Sequence, residues 1–154
     1  MKRVFFLTLI LFSITASFAQ TIPWFSFKDL SGKTFTRDNL DLSKSVFIMF
    51  FDPYCEHCET QAKNIAQSAS RFQNIQLVWV TIESDAKAVS TFRDTHFGRS
   101  GLTKLYFLQD TEYKFERYFG YTEDAVNIYL YKPGAAKLKY FGSEQVAAEL
   151  LKYL

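Results

Sequence analysis

The residues with the clearest capacity for chemistry are the two cysteines of this 154-residue chain, Cys55 and Cys58. They follow a nearly continuous apolar run at 46–51 and precede a segment with helical periodicity, which predicts Cys55 in a loop and Cys58 in the first helical turn. The spacing is short enough for a disulfide, and the positive end of the helix favours a thiolate. We predict a nucleophilic Cys55 and a resolving Cys58, because the first member of such a pair is usually the less covered.

Two titratable residues lie between the cysteines and have opposite effects on a thiolate. A protonated His57 would stabilise it, whereas the negative charge of Glu56 would destabilise it. His57 also fits a solvated residue at a helix start with little influence on the thiols, and Glu59 fits a favourable first-turn acid. Glu56 and His57 are therefore candidate tuning residues, and the direction of redox chemistry stays open.

The amino terminus has the pattern of a cleaved secretory signal peptide. Lys2 and Arg3 precede an apolar run at 4–14, and small residues end at Ala19. The run is shorter than the roughly 20 residues that a membrane-spanning helix needs. We therefore expect cleavage after residue 19, a single domain at 20–154 without a membrane span, and a periplasmic or secreted location.

Composition and charge exclude several classes of protein. Apolar residues make up 48% of the chain and charged residues 22%, which is typical of one globular domain and not of a disordered tail. Of 18 basic and 16 acidic residues, two basic ones lie in the signal peptide, so the mature chain is neutral. This balance gives no reason to expect nucleic acid as a partner. Export makes the redox state of the cysteines a functional question, because thiols oxidise outside the cytoplasm.

Strand and helix patterns alternate along the mature chain. Predicted strands lie at 24–30, 33–36, 46–51, 75–81, 105–108, 127–131 and 138–141, and predicted helices lie at 58–72, from Asp85 onward, at 112–119 and at 143–154. The first two strands flank a turn and form a hairpin. The apolar runs at 46–51 and 75–81 are typical of central strands covered on both faces. We predict an α/β fold with a mixed central sheet and helices on both faces.

The succession of strand, Cys-x-x-Cys and helix within this strand order resembles the thioredoxin superfamily, in particular its exported TlpA/ResA-like thiol–disulfide oxidoreductases. The resemblance covers roughly residues 23–154, with an amino-terminal β-hairpin, an added strand-helix unit around 105–119, and Gly142 before the last helix. It implies a thioredoxin-like fold and reversible dithiol–disulfide exchange, in which Cys55 attacks a substrate disulfide and Cys58 releases the mixed disulfide.

The resemblance also implies partners and a cofactor state. The substrates would be disulfide-containing exported proteins, with reduction favoured over oxidation, and electrons would come from a membrane thiol donor. The redox-active disulfide between Cys55 and Cys58 would be the only redox group, with no further cofactor and no metal. We expect a monomer.

Three residues depart from the family pattern. Tyr54 stands where many members have Trp and keeps an aromatic wall beside the thiols. Met49 takes the place of a buried acid that serves proton transfer from the resolving cysteine. Val126 stands where a cis-proline usually precedes the strand that faces the Cys-x-x-Cys; because a cis bond costs about 2.5–4 kcal/mol at a non-proline residue, we expect a trans bond. Tyr54 and Val126 are the expected substrate-facing residues.

Other chemistries fit the cysteine segment less well. Covalent haem attachment needs His directly after the second Cys, where Glu59 stands. A peroxiredoxin needs Thr or Ser three residues before its reactive Cys, where Asp52 stands. Zinc needs about four ligands, for which the chain offers a poor set. The remaining alternative is a binding module whose thiolates hold copper(I) or form a structural disulfide. The enzyme is favoured, because neither cysteine is needed to staple a core of this size.

Overall fold

The computed structural model describes residues 21–120, 127–134, 136–141 and 147–153. In chain order, its elements are β1 Ser26–Asp29, β2 Thr34–Thr36, β3 Val46–Phe50, α1 Glu56–Gln67, α2 Ala69–Phe72, β4 Gln76–Thr81, α3 Ala86–Phe97, β5 Leu105–Gln109, α4 Phe115–Phe119, β6 Ile128–Lys132, β7 Ala136–Phe141 and α5 Ala147–Leu151. The signal peptide predicted at 1–19, Val126 and Gly142 lie outside the described residues. Among the helices described, none is long and apolar enough to cross a membrane.

The strands form one mixed sheet in the order β2-β1-β5-β4-β3-β6-β7. β3, β4 and β5 run parallel, and the outer pairs are antiparallel. All six residues of β4 are buried, as its continuous apolar run predicts. The hairpin of β1 and β2 and the mixed sheet confirm the predicted α/β class.

Helices cover both faces of the sheet. Successive side chains of β3 point to opposite faces. Phe47 and Met49 lie in a core cluster with residues of α1, α3 and α5, whereas Val46 and Ile48 lie in a second cluster with residues of β1 and α4. The two layers place α1, which begins just after Cys55, on the face opposite α4.

Two helices begin or break at residues other than those predicted, and the helix predicted at 143–154 ends at Leu151, with residues 143–146 outside the described part of the chain. The helix predicted at 58–72 begins earlier, at Glu56, and is divided at Ser68, whose amide bonds to carbonyls of the preceding turn. The helix predicted at 112–119 begins only at Phe115, because the carboxylate of Asp110 accepts the amide hydrogen of Phe115 at 2.7 Å. Both boundaries therefore depend on hydrogen bonds that apolar periodicity does not encode.

The parallel strands end together and bring three loops into proximity. The register pairs Phe50 with Val80 and Val80 with Leu108, so β3, β4 and β5 finish at one end of the sheet. This is the carboxyl end of the sheet. The loops at 51–55, 82–85 and 110–114 all leave from this end. Cys55 lies in the first of them.

Candidate functional site

Cys55 is the residue at which the loop after β3 turns into α1. It is the N-cap of the helix, with an extended backbone, and its Sγ accepts a hydrogen bond from the amide of Cys58 at 3.4 Å. Its carbonyl accepts the first helical bond, from the amide of Glu59 at 3.0 Å. A cap side chain satisfies one of the free amides at a helix start, so the Cys55 sulfur lies where partial positive charge is available to a thiolate.

The two thiols differ strongly in burial. Both are free, Cys55 is partly exposed and Cys58 is only 3% exposed. Burial raises the pKa of Cys58 from 9.0 to about 12, against a backbone hydrogen bond from Asp52 that lowers it. The hydrogen bond with Cys55 and the negative charge of Asp52 add to the increase. At neutral pH, Cys58 is a protonated thiol within the core, whereas Cys55 is open to a partner.

Asp52 shapes the loop in front of the cysteines. Its carboxylate accepts the amide hydrogen of Tyr54 at 2.8 Å, and its carbonyl accepts that of Cys55 at 3.1 Å. These are the bonds of an Asx-type turn, which Asp followed by Pro favours. The sequence contains this signal in Asp52-Pro53, but the role of Asp52 in orienting Cys55 was missed by sequence reasoning.

The other predicted site residues that the structure describes lie around Cys55. Tyr54 is 70% exposed, and Glu56 and His57 are exposed in the first turn of α1. Tyr54 also lines a groove of about 830 Å³ between α1 and α3. Glu59 is an acid in the first turn of α1, and its Oε2 lies 3.4 Å from Nζ of Lys63, one turn further along the helix.

Val126 lies outside the described residues, but both flanks of the segment 121–126 are anchored. The hydroxyl of Tyr129 donates to the carbonyl of Gly120 at 2.8 Å, where Gly120 has a φ of 83° that favours glycine. The amide of Phe50 donates to the carbonyl of Asn127 at 2.9 Å. The residue that follows Val126 is thereby bonded to the end of β3, five positions before Cys55.

Two other residues of β3 and α1, Met49 and Gln61, are buried near the turn that carries Cys58. Met49 is fully buried in the same core cluster as Cys58, so an apolar side chain occupies the position at which the thioredoxin resemblance implies an acid. Gln61, one turn after Cys58 on the buried face of α1, is 4% exposed, and its Nε2 has no hydrogen-bond partner. Gln61 was missed by sequence reasoning, although a Gln among the apolar positions of a helix is the signal that could have found it.

Cys55 and Cys58 are the residues best placed to hold a soft metal ion, since their sulfurs share one helical turn. In the part of the chain that the structure describes, no group of three or more His, Cys, Asp or Glu side chains is arranged to hold a metal.

Comparison with known families identifies the chain. Residues 18–138 match the model of the AhpC/TSA family. The chain belongs to the AhpC/TSA family. No curated protein matches its sequence. The predicted membership of the thioredoxin superfamily is thereby confirmed, since the AhpC/TSA match spans the Cys-x-x-Cys and the strands around it.

Solved structures similar to this AhpC/TSA family member share its fold. A secreted Mycobacterium tuberculosis disulfide oxidoreductase homologous to E. coli DsbE is 20% identical, with a TM-score of 0.67 over 84% of this chain and 96% of that one. A thiol:disulfide interchange protein of the thioredoxin family from Chlorobium tepidum is 15% identical, with a TM-score of 0.69 over 87% and 92%. Arabidopsis thaliana ScoI with copper bound is 20% identical, with a TM-score of 0.67 over 86% and 94%. These similarities show a thioredoxin-like fold, as the resemblance predicted.

Proposed function

We propose that this protein is an exported thiol–disulfide oxidoreductase that reduces disulfides of extracytoplasmic proteins through Cys55 and Cys58. The observation that carries the proposal is the unequal burial of two thiols on one helical turn. The accessible Cys55 at the helix cap is suited to attack, and the buried Cys58, with its pKa raised to about 12, is suited to resolve the intermediate.

The reaction follows from these positions in two exchanges. The Cys55 thiolate attacks one sulfur of the substrate disulfide, forms a mixed disulfide and releases the other sulfur as a thiolate, which takes up a proton. Cys58 then attacks Cys55 Sγ, its proton passes to the departing substrate sulfur, and the Cys55–Cys58 disulfide forms. Two electrons and two protons reach the substrate. A membrane thiol donor then reduces the Cys55–Cys58 disulfide by the reverse exchange and restores the dithiol. No cofactor beyond the cysteine pair is required.

The departing substrate thiolate explains how the reaction proceeds without an acid at position 49. A thiol with a pKa of about 12 is a poor nucleophile until it loses its proton. The sulfur leaving the mixed disulfide accepts that proton as Cys58 attacks, so the proton and the bond move together. Glu56 and His57 tune the stability of the Cys55 thiolate, and Tyr54 and Val126 contact the substrate beside it.

The first experiment is the equilibrium reduction potential of the cysteine pair in metal-free protein. The protein is equilibrated in thiol buffers of graded potential, alkylated and weighed by mass spectrometry. A reversible two-electron couple near about −270 mV supports a reductase, and one near about −120 mV indicates an oxidant instead. A pair that does not cycle contradicts the proposal.

Trapping variants test the separate roles of the two thiols. Cys58→Ser is expected to accumulate mixed disulfides with exported proteins, because the intermediate can no longer be resolved. Cys55→Ser is the matched control and is expected to trap nothing and to lose exchange. Equal trapping by both variants would contradict the assignment of Cys55 as the nucleophile.

The same sulfur pair supports copper(I) binding as a second candidate function. Two thiolates on one turn are a soft ligand set, and the fold is shared with a copper-bound ScoI. Titration with copper(I) against a chromogenic chelator discriminates the two functions. Tight uptake of one copper by a pair that does not cycle in thiol buffers favours the binding function.

A further inference from the structure

A second cavity, of about 210 Å³, opens at the carboxyl end of the sheet on the face covered by α4, and we call it the α4 pocket. Its lining residues are Phe50, Ile82, Asp110, Tyr113, Phe115 and Glu116. None of these side chains takes part in the two exchange steps of the proposed reaction. The volume suits one side chain of the size of Leu or Phe.

The strand register places the α4 pocket beside the dithiol loop. Phe50 pairs with Val80, and Thr81 pairs with Gln109. Continued past the last pairs, this register puts Asp52, Ile82 and Asp110 at the same level of three neighbouring strands. The pocket therefore begins one strand spacing, about 4.8 Å, from the loop that carries Cys55.

The described side chains at the mouth of the α4 pocket are apolar and exposed. Ile82 is 47% exposed and Tyr113 is 73% exposed, while Phe50 and Phe115 lie below them with ring centroids 4.8 Å apart. Ile82 and Tyr113 are two of the four large hydrophobic side chains that are exposed among the residues described. Exposed apolar side chains that share one pocket mouth indicate a contact surface.

Tyr113, at the pocket mouth, has an unfavourable backbone conformation. Its φ is 55°, the left-handed region that non-glycine residues rarely adopt. Such conformations persist only where the surrounding structure stabilises them, and they cluster at active sites and ligand-binding sites. The loop accepts this conformation while leaving the Tyr113 ring exposed, so burial of the ring does not account for it.

The α4 pocket is also acidic. Asp110 is only 2% exposed, with one carboxylate oxygen accepting the Phe115 amide hydrogen at 2.7 Å, and Glu116 provides a second carboxylate. No described lining residue is basic. The three loops at this end contain five carboxylates and one basic side chain, Lys114, which pairs with Glu112 and also interacts with the charge of Asp110. The negative potential favours a positively charged partner.

We propose that the α4 pocket is a substrate subsite for an apolar side chain adjacent to Lys or Arg, near the substrate cysteine that Cys55 attacks. The apolar side chain enters between Ile82 and Tyr113, and the basic side chain pairs with Asp110 and Glu116. The subsite rests on the proposed oxidoreductase function, for which it selects among exported proteins.

Peptides with a chromogenic disulfide test the subsite. Each peptide contains one cysteine in a mixed disulfide with 2-thiopyridine. The peptides differ only in the dipeptide near that cysteine, which is Leu-Lys, Leu-Glu or Ser-Lys. The reduced protein is mixed with each peptide, and thiopyridone release gives a second-order rate constant. The small neutral disulfide 2,2′-dithiodipyridine reports the dithiol reaction itself.

The expected result is a preference of about tenfold for Leu-Lys over Leu-Glu at low salt, which added salt diminishes. Asp110→Asn keeps the acceptor for the Phe115 amide, and Asp110→Asn and Glu116→Gln each reduce the ratio of the two rates by severalfold. Ile82→Ser reduces the ratio of Leu-Lys to Ser-Lys. The ratios cancel any change in Cys55 reactivity. Asp94→Asn, in the last turn of α3 on the face of the sheet opposite α4, is the matched control and retains the wild-type ratios.

Three results overturn the subsite, and they are distinguishable. Rapid turnover of 2,2′-dithiodipyridine with equal rates for all three peptides overturns the subsite alone. No release from any disulfide overturns the proposed function and the subsite with it. A peptide preference that survives both Asp110→Asn and Glu116→Gln shows that the selection arises elsewhere and also overturns the assignment.

Discussion

The amide of Cys58 donates a hydrogen bond to the sulfur of Cys55 at 3.4 Å, so the first turn of α1 joins the two thiols. The same turn leaves Cys55 at the cap and directs Cys58 into the core, where burial raises its pKa to about 12. One helix start thus provides a donor for one sulfur and a low-dielectric environment for the other. The chemical asymmetry of the pair follows from this arrangement.

Alkylation of the reduced protein is expected to modify Cys55 first. Iodoacetamide reacts with thiolates, and Cys58 is both buried and protonated at neutral pH. Mass spectrometry of the protein at about pH 7 should show one adduct, which peptide mapping places on Cys55. In urea both thiols should react, and native labelling of Cys58 ahead of Cys55 would contradict the structure.

The reduced protein is expected to lose stability as the pH rises above 9. Folding raises the pKa of Cys58 from 9.0 to about 12, so between these values the folded thiol keeps its proton while the unfolded thiol is ionised. The free energy of unfolding then falls by up to about 1.4 kcal/mol per pH unit, and below this window the contribution is constant. Urea unfolding in reductant at about pH 8 and about pH 10 measures the slope.

Cys58→Ala is the control for that slope. It removes the titrating thiol, so its stability should fall less steeply over the same pH range. Burial also raises the pKa of Tyr131, which adds a contribution common to both proteins. Identical slopes for the two proteins would show that Cys58 does not carry the effect.

Two substitutions of Asp52 are expected to separate the effect of its hydrogen bond with the Tyr54 amide from the effect of its negative charge on the Cys58 pKa. Asp52→Ala removes the acceptor of the Tyr54 amide and should cost about 1 kcal/mol of unfolding free energy, whereas Asp52→Asn keeps an acceptor and should cost less. Burial is the main cause of the raised Cys58 pKa, but both variants remove the negative charge that adds to it. The pH dependence of Cys58 alkylation, measured with Cys55→Ser throughout, should shift to lower pH in both variants.

Two buried glutamines are expected to respond oppositely to the same substitution. Gln76 bonds through its side chain to both the amide and the carbonyl of Asp41, each at 2.9 Å, whereas Nε2 of Gln61 has no partner. Gln76→Leu should cost about 2 kcal/mol, and Gln61→Leu should stabilise the protein by about 1 kcal/mol. Urea unfolding of the two variants provides the comparison, and a loss of stability in both would contradict the unpaired state of Gln61.

The backbone of Tyr113 is expected to favour glycine. Because its φ is 55°, Tyr113→Gly should be more stable than Tyr113→Ala by about 1 kcal/mol. Both variants remove the exposed ring, so the difference isolates the backbone. Thermal or urea unfolding measures it, and equal stability would mean that the loop relaxes to another conformation.

Local patterns in the sequence predicted most of the fold. The hairpin, the two central strands and the helix that follows Cys55 are encoded by apolar periodicity and turn residues over short stretches. Cys55 and Cys58 lie at that helix start as predicted. The helix boundaries at Ser68 and Phe115 were less accurate, because they depend on individual hydrogen bonds such as the one between Asp110 and the Phe115 amide.

The sequence by itself determined that two cysteines follow a central strand and start a helix, because strand and helix periods are local properties of the chain. The sequence also predicted that Cys55 is the less covered thiol, but only the tertiary structure decided how far Cys58 is buried, because the burial that raises its pKa is provided by elements distant in sequence. The same holds for Gln61 and for the α4 pocket. A pocket formed by the ends of three parallel strands exists only once those strands pair, since its walls come from residues as far apart in sequence as Phe50 and Glu116.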